Sequence, residues 1–338
     1  MSDPAYVGVR FDPAAPKPHV ESWFLKANDP LRRRAIWLKS TIFAGHHDPA
    51  AAVAEAWAVA FDAEPDSKGH VAVKTQVPIA QASFARDRLD IAVDDTTLTE
   101  TRARGRVESG GRTIAWDLAL HSSGPPLIHF PRPWMYETPL PSSKLVSPMV
   151  DARVTGTIDV GGERWEASAW PALVGHNWGK GHAHLYAWGH CNAWTDVAAR
   201  DGASDFVFEG LSARIKLGPI TSPTTTLLFI RHRGVRYDLN AVVDLLRNHG
   251  DISVRRWRFR GEGEHVRIEG EMWADTDDFV GLFYPNPDGQ MTHCLNSKLA
   301  RARIEVTLRG RAPIMLASDR AAFEIGTHDP HHGVRMYV

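Results

Sequence analysis

Short segments in which apolar and polar residues alternate run through the whole chain. In the first half they cover residues 20–26, 35–43, 70–77, 113–120, 154–160 and 164–170. A period of two marks a strand whose two faces meet different surroundings, so each segment is expected to be β. Gly110-Gly111 and Gly161-Gly162 separate alternating runs, and glycine's access to positive φ suits them to tight hairpins.

The pattern resumes at 185–194, 205–217, 225–231, 252–260, 265–273, 299–308 and 321–325. So many short strands would force a single open sheet to curl or split, so the expected fold class is all-β, two antiparallel barrels packed together. The expected division is 1–182 for the N-terminal barrel and 183–338 for the C-terminal one. A barrel of about eight strands can hold one small ligand.

Two stretches depart from the strand pattern. Residues 49–61 are alanine-rich and place Val53, Ala56, Trp57 and Ala60 on one helical face, although Trp57, Val59 and Phe61 also alternate; a helical turn entering a strand is expected. Residues 241–248 form a second short helix candidate. Between 121 and 148 seven prolines rule out a central strand, leaving a connecting loop or a lid over a barrel mouth.

Composition narrows the function. The chain has 338 residues with 39 Lys and Arg against 40 Asp and Glu, so the formal charge is −1 and no general attraction to nucleic acid is expected. Arg256, Arg258 and Arg260 alternate with Trp257 and Phe259 as a solvated face would. Two cysteines cannot build a disulfide framework, and no signal-like leader or membrane-length apolar run occurs. The expected setting is cytoplasmic, with at most peripheral membrane contact; oligomeric state is left open.

The most informative stretch is 176–194. One face of its strand would carry His184, Tyr186, Trp188, His190, Asn192 and Trp194, and the other the small residues Ala187, Gly189, Cys191 and Ala193. Rings with polar tips suit the wall of a ligand cavity. His176-Asn177-Trp178-Gly179-Lys180 followed by Tyr186-x-Trp188-Gly189-x-Cys191-Asn192 resembles the signature region of tocopherol cyclases and of carotenoid 1,2-hydratases (hydroxyneurosporene synthases). Glu21-Ser22-Trp23-Phe24-Leu25-Lys26 and Ala321-Ala322-Phe323-Glu324-Ile325-Gly326 resemble further segments of the cyclases. The resemblance implies two lipocalin-like barrels and ring closure or water addition on isoprenoid chains; residues 194–217 run longer than in the plant cyclases.

Protonating an alkene calls for an acid in a dry pocket with aromatic faces nearby. Glu21, beside Trp23 and Leu25, and Glu209, on an otherwise apolar face, are the candidate acids, with burial expected to raise their pKa values. His176 is the candidate polar partner. Trp23, Asn177, Trp178, Lys180, Tyr186, Trp188, His190 and Asn192 are candidate ligand contacts. Against these stand paired structural carboxylates and a corner in which His176 and Asn177 satisfy loop backbone. Glu324 is a weaker candidate, because Ala322 and Gly326 on its face say little about burial. His182 and His184 lack the rest of a metal ligand set, and no nucleotide or nucleophile motif is complete, so neither a metal nor a cofactor is expected. The leading expectation is a cofactor-independent cyclase or hydratase acting on a hydrophobic isoprenoid or polyene substrate. The rival is a carrier that binds such a lipid unchanged, and a module with filled barrels is the third reading.

Overall fold

A computed structural model of the chain describes residues 6–15, 18–45, 51–122, 124–194, 196–197, 205–214, 216–217 and 220–338. The strands from His19–Asn28 to Glu163–Gly179 form one 12-stranded antiparallel sheet. The strand His19–Asn28 lies between Arg34–Ala44, which follows it, and Glu163–Gly179, the last of the sheet. Val71–Pro78, at one end of the strand order, packs onto Arg102–Ser109 and Arg112–Ser122, so the sheet nearly closes into a barrel.

The second sheet repeats this wiring with Leu185–Cys191 between Phe206–Arg214 and Ile314–Thr327, its last strand. It too curls, bringing the terminal strand His249–Ser253 against Thr225–His232 and Phe206–Arg214. The architecture is therefore all-β and two-barrelled. Alternation then assigns three large apolar cores, beside a small cluster of Tyr136, Val146 and Trp178. Leu25, Ile36, Val73 and Trp170 help fill the first barrel. Phe208, Trp257, Ile304 and Phe323 help fill the second. A third core, including Phe24, Trp37, Trp57, Trp188, Phe229 and Tyr284, lies between the barrels.

Both paired glycines adopt positive φ, 58° and 73° at Gly110-Gly111 and 59° and 91° at Gly161-Gly162, as the hairpins require. Trp257 and Phe259 are buried while Arg258 and Arg260 are exposed. The helix Val242–Arg247 forms, capped by Asp244 Oδ2 accepting from the Ala241 backbone N–H at 3.0 Å.

Three expectations are corrected. Val53–Asp62 is a strand buried on both faces; helix propensity yields to the ladders that its neighbours on each side offer. Of the segment read as partly helical, residues 49 and 50 lie outside the described residues. Residues 252–260 divide into His249–Ser253 and Arg256–Glu262 around a turn. Pro148 sits inside the strand Ser143–Val160, where a register shift between Val146 and Met149 relieves the ladder of a donor that proline lacks. Among the described residues no helix is long and apolar enough to cross a membrane.

Candidate functional site

Among the described residues, a hollow lies between the two barrels. It is a cavity of about 810 Å³, of the size that takes a drug-sized ligand. On the first barrel its wall includes Phe24, Trp37 and Lys39, and Phe24 and Lys39 lie in register on adjacent strands, flanked in the same row by Gly175 and Trp57. A Cβ at Gly175 would come within 2.2 Å of the Phe24 ring, so the glycine is what lets that ring lie over the neighbouring strand. On the second barrel the wall is Tyr186, Trp188, Leu211 and Leu227.

Polar groups gather on the floor. Lys298 Nζ lies 2.8 Å from Glu324 Oε1, on neighbouring strands of the second barrel. Cys294 Sγ is 3.8 Å from Glu324 Oε2, and the Tyr186 hydroxyl is 3.6 Å from that sulfur. Gly326 makes this approach feasible, since a Cβ there would meet the Tyr186 ring at 1.8 Å. Burial, with Glu324 and Cys294 nearby, pushes the Tyr186 and Tyr284 phenols well above their usual value, and burial takes the Cys294 thiol up to about 12. All three hold their protons. Lys39 Nζ stands 3.7 Å from the centre of the Tyr284 ring, and burial lowers it to about 8. Burial, helped by Lys39 and His328, pushes the cavity-lining His182 down to about 3, so its imidazole is neutral.

Among the residues singled out from sequence, Asn177, Trp178, Lys180, Tyr186 and Trp188 line this cavity. Glu209 stands behind the wall. Its carboxylate accepts from Trp188 Nε1 at 3.0 Å and from Ser147 Oγ at 2.9 and 2.8 Å, with His129 Nε2 at 3.1 Å. Burial alone would raise its pKa, but His129, His190 and Trp188 outweigh burial and hold it low. Glu21 lies inside the first barrel with the same electrostatic outcome. It accepts from the Arg10 and Phe11 backbone N–H groups, both at 2.8 Å, from His19 at 2.8 Å and from His176 at 2.9 Å. Burial pulls Glu21 upward, and the two histidines bring it below the usual carboxylate range. The expected upward shifts are therefore reversed at both carboxyls, because each is saturated with donors.

His176 is sandwiched between Trp23 and Trp178, with ring centres 4.5 and 4.7 Å away, and thereby steadies a ring of the cavity wall from behind. His190 and Asn192 pin the barrels together instead of facing the cavity: His190 Nε2 lies 2.8 Å from the Val150 carbonyl, and Asn192 accepts from Lys26 Nζ at 3.0 Å while donating to Asp151 and Ala172.

Comparison with known proteins places this geometry. The tocopherol cyclase-like family model matches residues 134–327, more than half of the chain. The chain belongs to the tocopherol cyclase-like family. An uncharacterized protein of Mycobacterium tuberculosis, present in strains CDC 1551 / Oshkosh and ATCC 25618 / H37Rv, is 27% identical over 313 residues, covering 91% of this chain and 86% of its own length.

Solved structures share the fold at low identity. The Nitrosomonas europaea protein described as AttH aligns with a TM-score of 0.56 at 14% identity over 92% of this chain and 93% of its own. Kievitone hydratase from Nectria haematococca gives 0.53 at 8% identity over 91% and 90%. CghA solved with Sch210972 gives 0.52 at 14% identity over 91% and 88%.

In this tocopherol cyclase-like protein the proline-rich segment 121–148 borders the cavity through Phe130, Met135 and Pro141. Its anchor is Tyr136, whose hydroxyl accepts from the His129 and Phe130 backbone N–H groups and donates to the Leu145 carbonyl, each at 3.0 Å. Opposite it, Leu245 of the helix Val242–Arg247 lines the same opening. Four functional groups escaped sequence reasoning: Lys39, Tyr284, Cys294 and Lys298. The available signal was a pair of aromatic residues two positions from lysines, Phe24 before Lys26 and Trp37 before Lys39, which puts rings and ammonium groups on one strand face.

Proposed function

We propose that this tocopherol cyclase-like protein is a cofactor-independent enzyme of the cyclase or hydratase type, acting on a hydrophobic isoprenoid or polyene substrate between the two barrels. The observation that carries the proposal is the cavity of about 810 Å³, apolar along its walls and lined at its floor by Glu324 and Tyr186. Cyclisation and hydration are one bond change: an O–H adds across a C=C bond, and the oxygen comes from the substrate's own hydroxyl or from water. Oxygen joins one carbon, a proton joins the other, and the proton released from the hydroxyl must be accepted. The reaction is redox-neutral, so side chains suffice to balance it.

Glu324, paired with Lys298, is suited to accept the hydroxyl proton. Tyr186 keeps its phenolic proton and, as a weak acid, suits protonation of the enolate-like carbon left when oxygen adds to a conjugated double bond. Cys294, between the Tyr186 hydroxyl and the Glu324 carboxyl, provides a route for the proton to return and close the cycle. The strong-acid route expected from sequence has less support. Ammonium groups already occupy the nearby ring faces, Lys39 on Tyr284 and Lys298 at 5.7 and 5.4 Å from Trp37 and Trp188, where a carbocation would need shelter. Glu209 and His176 act in this scheme as positioning residues for Trp188 and Trp178.

The test is conversion of isoprenoid quinols and polyenes, followed by mass spectrometry, in the wild type and in Glu324→Gln and Tyr186→Phe. Each variant is expected to lose roughly a hundredfold or more in kcat, the usual worth of an acid or base. Undiminished turnover in both, or ligand recovered chemically unchanged from the wild type after prolonged incubation, would overturn the proposal; the second outcome is that of a carrier.

A further inference from the structure

The lysines around the cavity differ in how their charge is met. Lys298 is paired with Glu324 at 2.8 Å, and Lys74 with Glu55 at 3.2 Å. Lys26 donates to Asn28 at 3.1 Å and Asn192 at 3.0 Å, and Lys144 to the carbonyls of Thr138 and Pro141. Lys39 is 7% exposed and lines the cavity, yet among the described residues no oxygen acceptor meets its ammonium. Its contacts are the faces of Tyr284, Trp37 and Trp57, at 3.7, 5.7 and 6.0 Å from the ring centres.

A buried ammonium without an acceptor is costly, and ring faces compensate only part of that cost. The nearest carboxylates, Glu324 and Glu55, are each committed to another lysine. Among the buried lysines of the lining, Lys39 is therefore the one whose charge no acceptor meets, and it opens onto the space a ligand would fill, whereas Lys180, also on the lining, is solvent-exposed. The neutral His182 beside it adds no competing charge.

We infer that Lys39 recognises an anionic oxygen group of the ligand, a carboxylate or an ionised phenol or enol, so that the cavity takes an amphipathic anion whose apolar tail runs between the barrels. This deepens the functional proposal and rests on its cavity. The anion would sit against Lys39 with the reacting double bond near Tyr186 and Glu324. Recognition by Lys39 need not alter the proton transfers themselves, so binding and turnover can be separated.

The experiment measures quenching of tryptophan emission, to which Trp37 and Trp188 contribute from the cavity wall, as farnesoic acid, farnesol or farnesylamine is added. All three probes share one isoprenoid tail and differ in the head group. The wild type is expected to bind the acid roughly tenfold more tightly than the alcohol, the worth of one charge-assisted hydrogen bond, and to bind the amine most weakly. Lys39→Met should bring the acid to the level of the alcohol and leave the alcohol within about twofold, because methionine keeps the apolar stem. Lys39→Arg should retain the preference. Equal affinity of wild type for acid and alcohol, or a preference that survives Lys39→Met, overturns the role of Lys39 while the cavity reading stands. Failure of all three probes to bind overturns both.

Discussion

Glu21 and His176 meet at 2.9 Å inside the first barrel, on the side of their strands turned away from the inter-barrel cavity wall. The pair resembles an acid–base couple in composition, yet its surroundings make it a latch. Four donors converge on one carboxylate, two of them from the backbone at Arg10 and Phe11, so the pair ties the N-terminal segment to the barrel.

Glu21→Gln is accordingly expected to lower stability by about 2 kcal/mol, the range for hydrogen bonds to a buried charged group, as measured by urea unfolding. Farnesol affinity of the folded fraction should be unchanged. Glu21 titrates below its ordinary 4.5 in the fold, so its contribution is complete above that pH and disappears as the pH falls through the lower folded value. A variant as stable as the wild type at pH 7 would remove the latch.

Trp188 depends on Glu209 for the hydrogen bond to its indole nitrogen. Replacing Glu209 by leucine should leave Ser147 and Trp188 without their shared acceptor and cost about 3 kcal/mol or more, since both are buried. The emission of Trp188, isolated by difference against Trp188→Phe, should shift. An unmoved spectrum and unchanged stability would sever Glu209 from the cavity wall.

Lys39 has a pH signature of its own. Its folded value of about 8 lies below the ordinary 10.5, so the ammonium is lost as the pH rises past 8. Around it stand Trp57 and Glu55 from the third strand, Cys294, Lys298 and Glu324 from the second barrel, and His182 from the adjoining loop. Farnesoic acid affinity is expected to decline above pH 8 while farnesol affinity stays level, by fluorescence titration. Folding stability responds oppositely: the unfolded chain binds more protons between the two values, so this group's contribution rises with pH there. Parallel curves for acid and alcohol would contradict the assignment.

Gly326→Ala should act on the site through sterics alone. A Cβ would overlap the Tyr186 ring at 1.8 Å and drive the phenol off Cys294. Overpacking of this kind costs about 1–3 kcal/mol, and turnover should fall more than binding because the proton route is displaced while the wall persists. Equal losses in kcat and affinity would point to general collapse instead.

Tyr136→Phe should loosen the proline-rich border of the cavity without disturbing either barrel. The variant strands the backbone donors of His129 and Phe130, and hydrogen exchange at those amides should accelerate by roughly tenfold or more. Ligand dissociation should speed up with it if the segment limits escape; exchange confined to other regions would exclude that anchoring role.

How far the sequence reaches is clearest in four side chains. Tyr186 and Trp188 alternate with Ala187 and Gly189, and that contrast alone assigns rings to one face and close packing to the other. Glu324, flanked on its face by Ala322 and Gly326, carries no comparable mark; it becomes a cavity group through Lys298 and Cys294 on the adjoining strand. A lysine at an alternate strand position ordinarily reads as solvent-facing, and Trp37 two positions earlier is the one mark on the face of Lys39; its burial follows only when a second sheet covers that face.

By itself the sequence determined many of the strands, the paired-glycine hairpins and the partition of those strands into two faces, because these follow from a period of two and from local backbone freedom. Only the tertiary structure decided that both barrels fill their own interiors and that the hollow lies between their outer faces. Alternation distinguishes two sides of a strand but not what covers each, and along His19–Asn28, Arg34–Ala44 and Val53–Asp62 both sides are covered. The contacts that settle it join distant residues, Lys39 with Tyr284 and Lys26 with Asn192, and no local pattern encodes which curled sheet will meet another.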